Sequence, residues 1–292
     1  MLRKTMLIAT VAMIAAAATN KADQPKDGWF TTSDGIKIHY LTLGDHGSWV
    51  VLIHGYTGSA QGNWFDNGIG QALAKTHRVV ALDNRNHGKS DKPVKDGPGK
   101  ASDTLELMDH LKIQKAHIGG YSMGGGITGQ LLVTNPDRFL TAHFGGSGIT
   151  ETDPEWIARL PKDKEGRDAA EDALSKGLRI HHAMDNGMSK EEAEKMAETP
   201  AAPRAPAARP AAAAAPAAPR PQIDLANLDI PIIIMNGEFD RPRSKSTRAA
   251  REAKDVEIVV FPGKSHLSTI VNGYMPKEYL TDLVGFINTH DK

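Results

Sequence analysis

The chain reads Gly119-Gly120-Tyr121-Ser122-Met123-Gly124-Gly125-Gly126 at the point that decides its fold. The residues before it, Ala116 to Ile118, are typical of a short strand, and those after it, Ile127 to Val133, of a helix. A Gly-x-Ser-x-Gly pattern between a strand and a helix predicts a sharp, strained turn, in which glycines flank the serine to avoid collisions. Ser122 Oγ should therefore stand exposed above a sheet, at the positive end of a helix.

Working outward, buried strands alternate with helices along most of the chain. The expected strands are Trp49–Ile53, Arg78–Asp83, Phe139–Phe144, Ile230–Met235 and Val256–Phe261, and the expected helices are Gln61–Lys75, Ser102–Lys112, Ser244–Lys254 and one that Pro276 opens. Asp34-Gly35 predicts a hairpin turn between two alternating runs near the start. Strands that are apolar on both faces suit a parallel sheet with helices on both sides, so the fold class is α/β.

The composition excludes several functions. Lysine plus arginine equals aspartate plus glutamate, 35 of each in 292 residues, so nothing supports a nucleic-acid partner. The chain has no cysteine, which excludes disulfides, thiol catalysis and cysteine metal sites. No clustered histidine and aspartate pattern stands at metal-ligand spacing, so neither a metal nor an organic cofactor is expected.

The first residues have the layout of a secretory signal peptide. A basic start is followed by an apolar run from Met6 to Ala18 that ends in an Ala-x-Ala-type site. The run is shorter than the roughly 20 residues of a membrane-spanning helix, so no stable membrane span is expected. We expect residues 1–20 to be a signal peptide cleaved near Ala18, and the protein to be exported to a bacterial periplasm or secreted.

The pattern changes after Gly148. Residues 149–222 form a predicted helical insertion between a first part of the sheet domain, residues 27–148, and a second part, residues 223–292. Within the insertion, Ser189 and Glu192 predict a capping box, and Trp156, Ile157 and Leu160 are the clearest apolar cluster. Residues 200–221 contain only alanine, proline and arginine, which predicts a semi-rigid connector with no core of its own.

Five motifs, each placed after an expected strand, resemble those of the α/β-hydrolase fold family in the family's order. They are His54-Gly55, the stretch Asp83 to Ser90, the serine turn, the stretch Gly237 to Pro242, and the stretch Phe261 to Leu267. The resemblance runs from Trp29 to Lys292 and implies a mostly parallel central sheet flanked by helices, with the insertion as a lid. It also identifies the serine turn as the family's nucleophile elbow. The chain departs from the family in the loop Asn84–Ser90, where asparagines replace the more frequent arginine-glycine.

The site chemistry needs a serine, a base and an acid. A serine hydroxyl requires a histidine to take its proton, and a carboxylate must orient that histidine. His266 follows the last strand and Asp240 follows the strand before it, in the order serine, acid, histidine expected for this fold. Ser122, Asp240 and His266 are therefore the predicted catalytic residues. Glu238 lies two residues too early by the family pattern.

Backbone N–H groups should stabilise the oxyanion that forms when the serine attacks a carbonyl. One donor is the residue after the nucleophile, Met123, and the other, by resemblance, is Tyr56 in the loop after His54-Gly55. We also consider Trp64 and Trp156 as residues that contact the substrate, although a core position is as reasonable for Trp64.

A serine nucleophile argues against the haloalkane dehalogenases and epoxide hydrolases of the family, which use an aspartate there. The favoured function is hydrolysis of a carboxylic ester of a small or medium-sized substrate through an acyl-enzyme. Three alternatives stay open: a cofactor-free haloperoxidase or perhydrolase, a carbon–carbon bond hydrolase with the same three residues, and a non-catalytic binding protein. The expected partner is a small-molecule ester.

Overall fold

The computed structural model describes residues 24–94, 99–164, 166–198 and 222–291. The predicted signal peptide, residues 1–20, and the predicted connector, residues 200–221, lie outside these described residues. Within the described ranges, the helices are all too short or too polar to cross a membrane.

Eight strands of the described residues form one sheet. They are β1 Lys26–Thr31, β2 Lys37–Leu43, β3 Trp49–Ile53, β4 Arg78–Leu82, β5 Ala116–Tyr121, β6 Phe139–Gly145, β7 Ile232–Gly237 and β8 Val256–Phe261. The strand order is β1-β2-β4-β3-β5-β6-β7-β8, in which β2 pairs antiparallel with both β1 and β4 and all other pairs are parallel. The expected mostly parallel sheet is confirmed, and so is the hairpin, which turns at Gly35 with a φ of 86°.

Helices follow most of the strands. They are α1 Ile69–Leu73, α2 Lys100–His110, α3 Met123–Thr134, α4 Pro154–Arg159, α5 Glu171–Asp185, α6 Lys190–Glu198, α7 Pro242–Glu252 and α8 Lys277–His290. The insertion after β6 contributes α4, α5 and α6, as the sequence predicts. The capping box at the start of α6 is present, because the Ser189 N–H donates to Glu192 Oε2 at 3.0 Å and the Glu192 N–H donates to Ser189 Oγ at 3.3 Å.

The prediction of a single helix over Gln61–Lys75 is wrong. The chain instead forms a π-helical turn, Gln61–Phe65, and then the short helix α1. Gly68 separates the two with a φ of 85°, a left-handed conformation that ends a right-handed helix. Two of the apolar residues noted in the insertion, Trp156 and Ile157, are 38% and 51% exposed.

The hydrophobic core lies on both faces of the sheet. Alternate residues of β3 serve the two sides: Val51 and Ile53 pack toward α2 and α3, whereas Val50 and Leu52 pack toward α1 and α8. All four are essentially inaccessible to solvent. This explains why the sequence of β3 is continuously apolar rather than alternating.

The loop after β4 is fixed by a buried arginine. The Arg85 guanidinium donates two hydrogen bonds to Asp103 of α2, at 2.7 and 2.5 Å, and two to Asp34 of the hairpin turn, at 3.0 and 3.1 Å. The Arg85 and Asp103 side chains are 1% and 0% exposed. The next residue, Asn86, has a φ of 69°, a region that asparagine tolerates better than most residues. The asparagine therefore suits the left-handed backbone conformation of this loop.

We expect Arg85→Met to lower the free energy of unfolding by about 3–5 kcal/mol, because it leaves the Asp103 carboxylate buried without its partner. Urea unfolding of the purified protein measures the loss. Lys254→Met is the matched control, since Lys254 pairs with Asp229 at 2.7 Å but both side chains are at least half exposed, and it should cost below about 1 kcal/mol. Equal losses in the two variants would contradict the role assigned to Arg85.

Candidate active site

Ser122 lies in a strained turn between β5 and α3. Its φ and ψ are 54° and −109°, a conformation that few residues other than glycine adopt. A Cβ added at Gly120 would lie 2.1 Å from the backbone of Gly124, and one added at Gly124 would lie 2.0 Å from Ile53 O of β3. Both positions must therefore be glycine, and the Gly-x-Ser-x-Gly pattern is explained by contact with the backbone.

The fold brings Ser122, His266 and Asp240 into one hydrogen-bonded chain. His266 Nε2 is 2.9 Å from Ser122 Oγ, and His266 Nδ1 is 2.7 Å from Asp240 Oδ2. The three residues follow β5, β8 and β7, so they meet at the carboxyl edge of the parallel strands. The Asp240 side chain is 11% exposed and that of His266 is 33% exposed, which leaves the histidine open toward the insertion.

This arrangement can activate the serine. With its Nδ1–H donated to Asp240, His266 presents the lone pair of Nε2 to the Ser122 hydroxyl. The imidazole can then accept the serine proton, while the carboxylate holds its ring and stabilises the charge that develops. The geometry is that of a nucleophile, a general base and an orienting acid.

The loop that carries His266 is held from two sides. Below it, the Tyr121 hydroxyl donates to His266 O at 2.5 Å, and burial raises the pKa of Tyr121 well above its usual value, so the donor keeps its proton. Above it, two carboxylates of the insertion accept hydrogen bonds from the loop. Asp168 bonds the hydroxyl of Ser268, and Glu171 accepts from the Leu267 N–H at 3.2 Å. The pattern of the insertion gave no signal for these two carboxylates.

Lys245 is a second residue that sequence reasoning missed. Its Nζ donates to Asp240 Oδ1 at 2.5 Å and to Gly146 O at 3.1 Å, so it occupies the carboxylate oxygen that His266 does not use. Burial lowers the pKa of Lys245, and the neighbouring Asp240 charge opposes that shift. The lysine lies in the first turn of α7, five residues after Asp240 in the sequence. A lysine at this spacing from the predicted acid is the signal that could have identified it.

The two expected oxyanion donors lie on either side of Ser122. Met123 is the first residue of α3, where backbone N–H groups have no helical partner. Tyr56 follows Gly55, whose added Cβ would lie 3.5 Å from Ser122 Cβ. Among the described residues, neither the Tyr56 nor the Met123 N–H donates a hydrogen bond.

His54 supports the loop that carries Tyr56. Its Nδ1–H donates to Gly55 O at 2.7 Å, and its Nε2 accepts the Asn84 N–H at 3.0 Å. Burial lowers the pKa of His54 to about 4, so the ring is neutral at neutral pH and both hydrogen bonds keep their directions. The Tyr56 side chain is 57% exposed and packs against His87 and against His182 of α5.

The structure does not support the two tryptophans as substrate contacts. Trp64 is fully buried in the core cluster that contains Leu73 and Tyr279, where it has no surface to offer a ligand. Trp156 packs on the guanidinium of Arg251, 5.1 Å from the ring centroid. Arg251 is nine residues beyond the start of α7, so it lies about 14 Å along the helix from the turn that presents Asp240.

A family model described as alpha/beta hydrolase fold matches residues 48–272. This span contains all three residues of the hydrogen-bonded chain, Ser122, Asp240 and His266. It also contains the insertion and both backbone donors.

Two curated bacterial proteins illustrate the sequence similarity. The dihydrolipoyllysine-residue acetyltransferase component of the acetoin cleaving system of Cupriavidus necator is 38% identical over 120 residues, which are 38% of this chain and 30% of that protein. The 2-hydroxy-6-oxononadienedioate/2-hydroxy-6-oxononatrienedioate hydrolase of Paraburkholderia xenovorans is 33% identical over 150 residues, 49% of this chain and 50% of that protein. The chain thus spans half or less of the length of these curated relatives.

Solved structures share the fold over most of the chain. A membrane phospholipase A from a bacterium superposes with a TM-score of 0.62 at 17% identity, covering 92% of this chain and 87% of that one. The 2-hydroxy-6-oxo-6-phenylhexa-2,4-dienoate hydrolase of a Rhodococcus species gives 0.59 at 24% identity, covering 91% and 98%. Identities this low show a common fold alone.

We expect Lys245→Met to slow the labelling of Ser122 by a fluorophosphonate about tenfold, because the substitution removes the charge-assisted hydrogen bond that holds Asp240 Oδ1 and thereby loosens the carboxylate that orients His266. The labelling rate of the folded protein at one fixed pH measures the effect. Lys254→Met, just beyond the other end of α7, is the matched control and should leave the rate unchanged. An unchanged rate in Lys245→Met would show that the lysine has no influence on the orientation of the base.

Proposed function

Because the chain belongs to the alpha/beta hydrolase fold family, we propose that it is a serine hydrolase that cleaves carboxylic esters through an acyl-enzyme. One observation carries the proposal: His266 joins the Ser122 hydroxyl at 2.9 Å to the Asp240 carboxylate at 2.7 Å, with Ser122 held half-buried in a strained turn. A serine in an ordinary surface loop would have neither the base nor the fixed direction of attack.

In the first half of the reaction, Ser122 Oγ attacks the ester carbonyl while His266 Nε2 takes the hydroxyl proton. The Tyr56 and Met123 N–H groups hold the oxyanion of the tetrahedral intermediate, and removal of one such donor typically costs about 3–4 kcal/mol. The intermediate collapses as His266 returns the proton to the departing alcohol. An acyl group then remains on Ser122.

In the second half, water takes the place of the alcohol. His266 removes a proton from the water, which attacks the acyl carbon, and the same two N–H groups again hold the oxyanion. Collapse releases the carboxylic acid and returns the proton to Ser122 Oγ. Asp240 is held in place throughout, because both of its oxygens accept hydrogen bonds, one from His266 and one from Lys245.

Carbon–carbon bond hydrolysis is the second candidate. The Paraburkholderia relative, a 2-hydroxy-6-oxononadienedioate hydrolase, favours it, since it matches 49% of this chain at 33% identity. Both reactions use an attacking oxygen and an oxyanion, so the residues alone do not separate them. A panel of p-nitrophenyl esters and 2-hydroxy-6-oxo-6-phenylhexa-2,4-dienoate does: a higher kcat/KM on the dienoate would replace the ester assignment.

We further propose that the helical insertion is the lid of this site. Two carboxylates of the insertion bond the loops that carry Asp240 and His266. Asp163 accepts a hydrogen bond from the Ser244 hydroxyl at 2.5 Å, near Asp240. Glu171 accepts one from the Leu267 N–H, beside His266. At the other side, His182 of α5 packs 5.4 Å from Tyr56 and 5.2 Å from His87. The insertion therefore contacts the loops around Ser122, those of Asp240 and His266 and that of Tyr56. A lid in this position controls which substrates reach the serine.

We expect a fluorophosphonate to label folded wild-type protein at Ser122, as located by peptide mapping. Ser122→Ala should abolish the labelling, and His266→Ala should slow it at least about 1000-fold, because these residues act as a unit. Circular dichroism of each variant controls for folding. A folded wild type that stays unlabelled would reject the serine hydrolase and favour a binding protein on this scaffold.

The lid has a matched pair of test residues, because His181 and His182 are neighbours on α5 with different contacts. We expect His182→Ala to lower kcat/KM on a short ester about 2- to 12-fold, the loss that corresponds to one aromatic contact of about 0.5–1.5 kcal/mol. His181, whose side chain is 82% exposed, should tolerate alanine without change. Equal effects of the two substitutions would remove the support for docking of α5 on the Tyr56 loop.

A further inference from the structure

Three side chains of ligand type converge at the edge of the sheet opposite Ser122. His77 directly precedes β4, His117 is the second residue of β5, and Asp291 follows the last residue of α8. His117 of β5 precedes Ser122 by five positions along the chain, so the cluster is about 16 Å from the candidate active site. One ligand atom from each residue lies within 4.8 Å of the others, and both histidine side chains are 1% exposed.

The distances within this cluster are longer than those of the pairs that His266 and His39 form with aspartates, and they are close to the 3.3 Å between His290 Nε2 and Asp255 Oδ2 at the surface. His266 and His39 approach their carboxylates to between 2.7 and 2.8 Å. In the cluster, His77 Nε2 is 3.3 Å from Asp291 Oδ2 and His117 Nε2 is 3.4 Å from Oδ1. The carboxylate thus stands midway between two rings and close to neither. Ligand atoms that share one tetrahedral zinc at bond lengths near 2.0–2.1 Å are separated by about 3.3–3.4 Å.

Threonine hydroxyls fix the orientation of both rings. His77 Nδ1 is 2.8 Å from Thr76 Oγ1, and His117 Nδ1 is 2.9 Å from Thr141 Oγ1. Thr76 donates its own proton to Asn288 Oδ1 at 3.2 Å, so it accepts from His77, which carries its proton on Nδ1. Hydrogen bonds of this kind, made by the nitrogen remote from the ion, are characteristic of histidines that bind metals.

The tautomer of His77 leaves two acceptors facing each other. Its Nε2 has a lone pair, is buried, and has no hydrogen-bond partner among the described residues, yet it points at the Asp291 carboxylate. A buried imidazole lone pair and a carboxylate oxygen at 3.3 Å repel each other, and a cation between them would remove the repulsion. Neutral imidazole is the form that binds metals.

We propose that His77, His117 and Asp291 bind one divalent cation, Zn²⁺ in the first place, with water completing the coordination. Two imidazoles and one carboxylate suit zinc and the neighbouring transition metals rather than Ca²⁺ or Mg²⁺, which prefer oxygen ligands. The ion joins the end of α8 to the beginnings of β4 and β5. Its role is structural, because it lies at the edge of the sheet remote from Ser122.

The test uses full-length, untagged protein freed of metal by a chelator. Calorimetric titration with ZnCl₂ should give one zinc per chain, and zinc at 100 times its Kd should raise the melting temperature by about 5–10 °C. Asp291→Asn should weaken binding at least about tenfold while the metal-free protein stays folded, since this carboxylate is 31% exposed. Replacement of zinc by Co²⁺ should give the visible absorption of a tetrahedral site in the wild type, and lose it in His117→Gln and Asp291→Asn.

His46→Gln is the matched control, because His46 also pairs with an aspartate, Asp45, but its side chain is 65% exposed. It should bind zinc as the wild type does. Zinc affinity that Asp291→Asn leaves unchanged would place the ion elsewhere, including at His266, and overturn the proposal. So would a wild type without zinc binding or without the cobalt spectrum.

Discussion

The close approach of the first turn of α3 to β3 is the contact on which the rest of the site depends. Gly124 meets the carbonyl oxygen of Ile53 at a distance that leaves no room for a side chain. This contact forces Ser122 into a strained conformation, and such strain typically costs about 1–3 kcal/mol. The core on both faces of β3 and β5 offsets that cost, so the strained serine is held by the most buried part of the sheet.

The two parts of the sheet domain and the insertion each hold a different piece of the site. The first part supplies Ser122, between β5 and α3, which are packed into the core. The second part supplies Asp240 and His266, on loops whose outer surfaces bond to the insertion. Through Asp168 and Glu171 the insertion positions the loop that carries His266.

The strands and the order of the site residues were predictable because they depend on local chemistry. A continuous apolar run identifies β3, and the glycines beside Ser122 are required by contacts within a few residues. The break in the helix at Gly68 was not predicted, because the apolar pattern over Gln61–Lys75 favours one helix, whereas a single glycine ends it. The contacts of Lys245 and of the carboxylates of the insertion were not predicted, because tertiary packing determines which residues they meet. The cluster of His77, His117 and Asp291 escaped for the same reason, since its members come from three distant segments.

The position of the insertion has a consequence for how this fold can change over time. The insertion connects β6 to β7, which pair side by side in the sheet. The entropy lost on closing a loop grows only with the logarithm of its length, by about 0.6 kcal/mol for each doubling. Segments can therefore be added to or removed from this connection with little effect on the stability of the sheet. Selection can remodel the connection while the strained serine stays fixed.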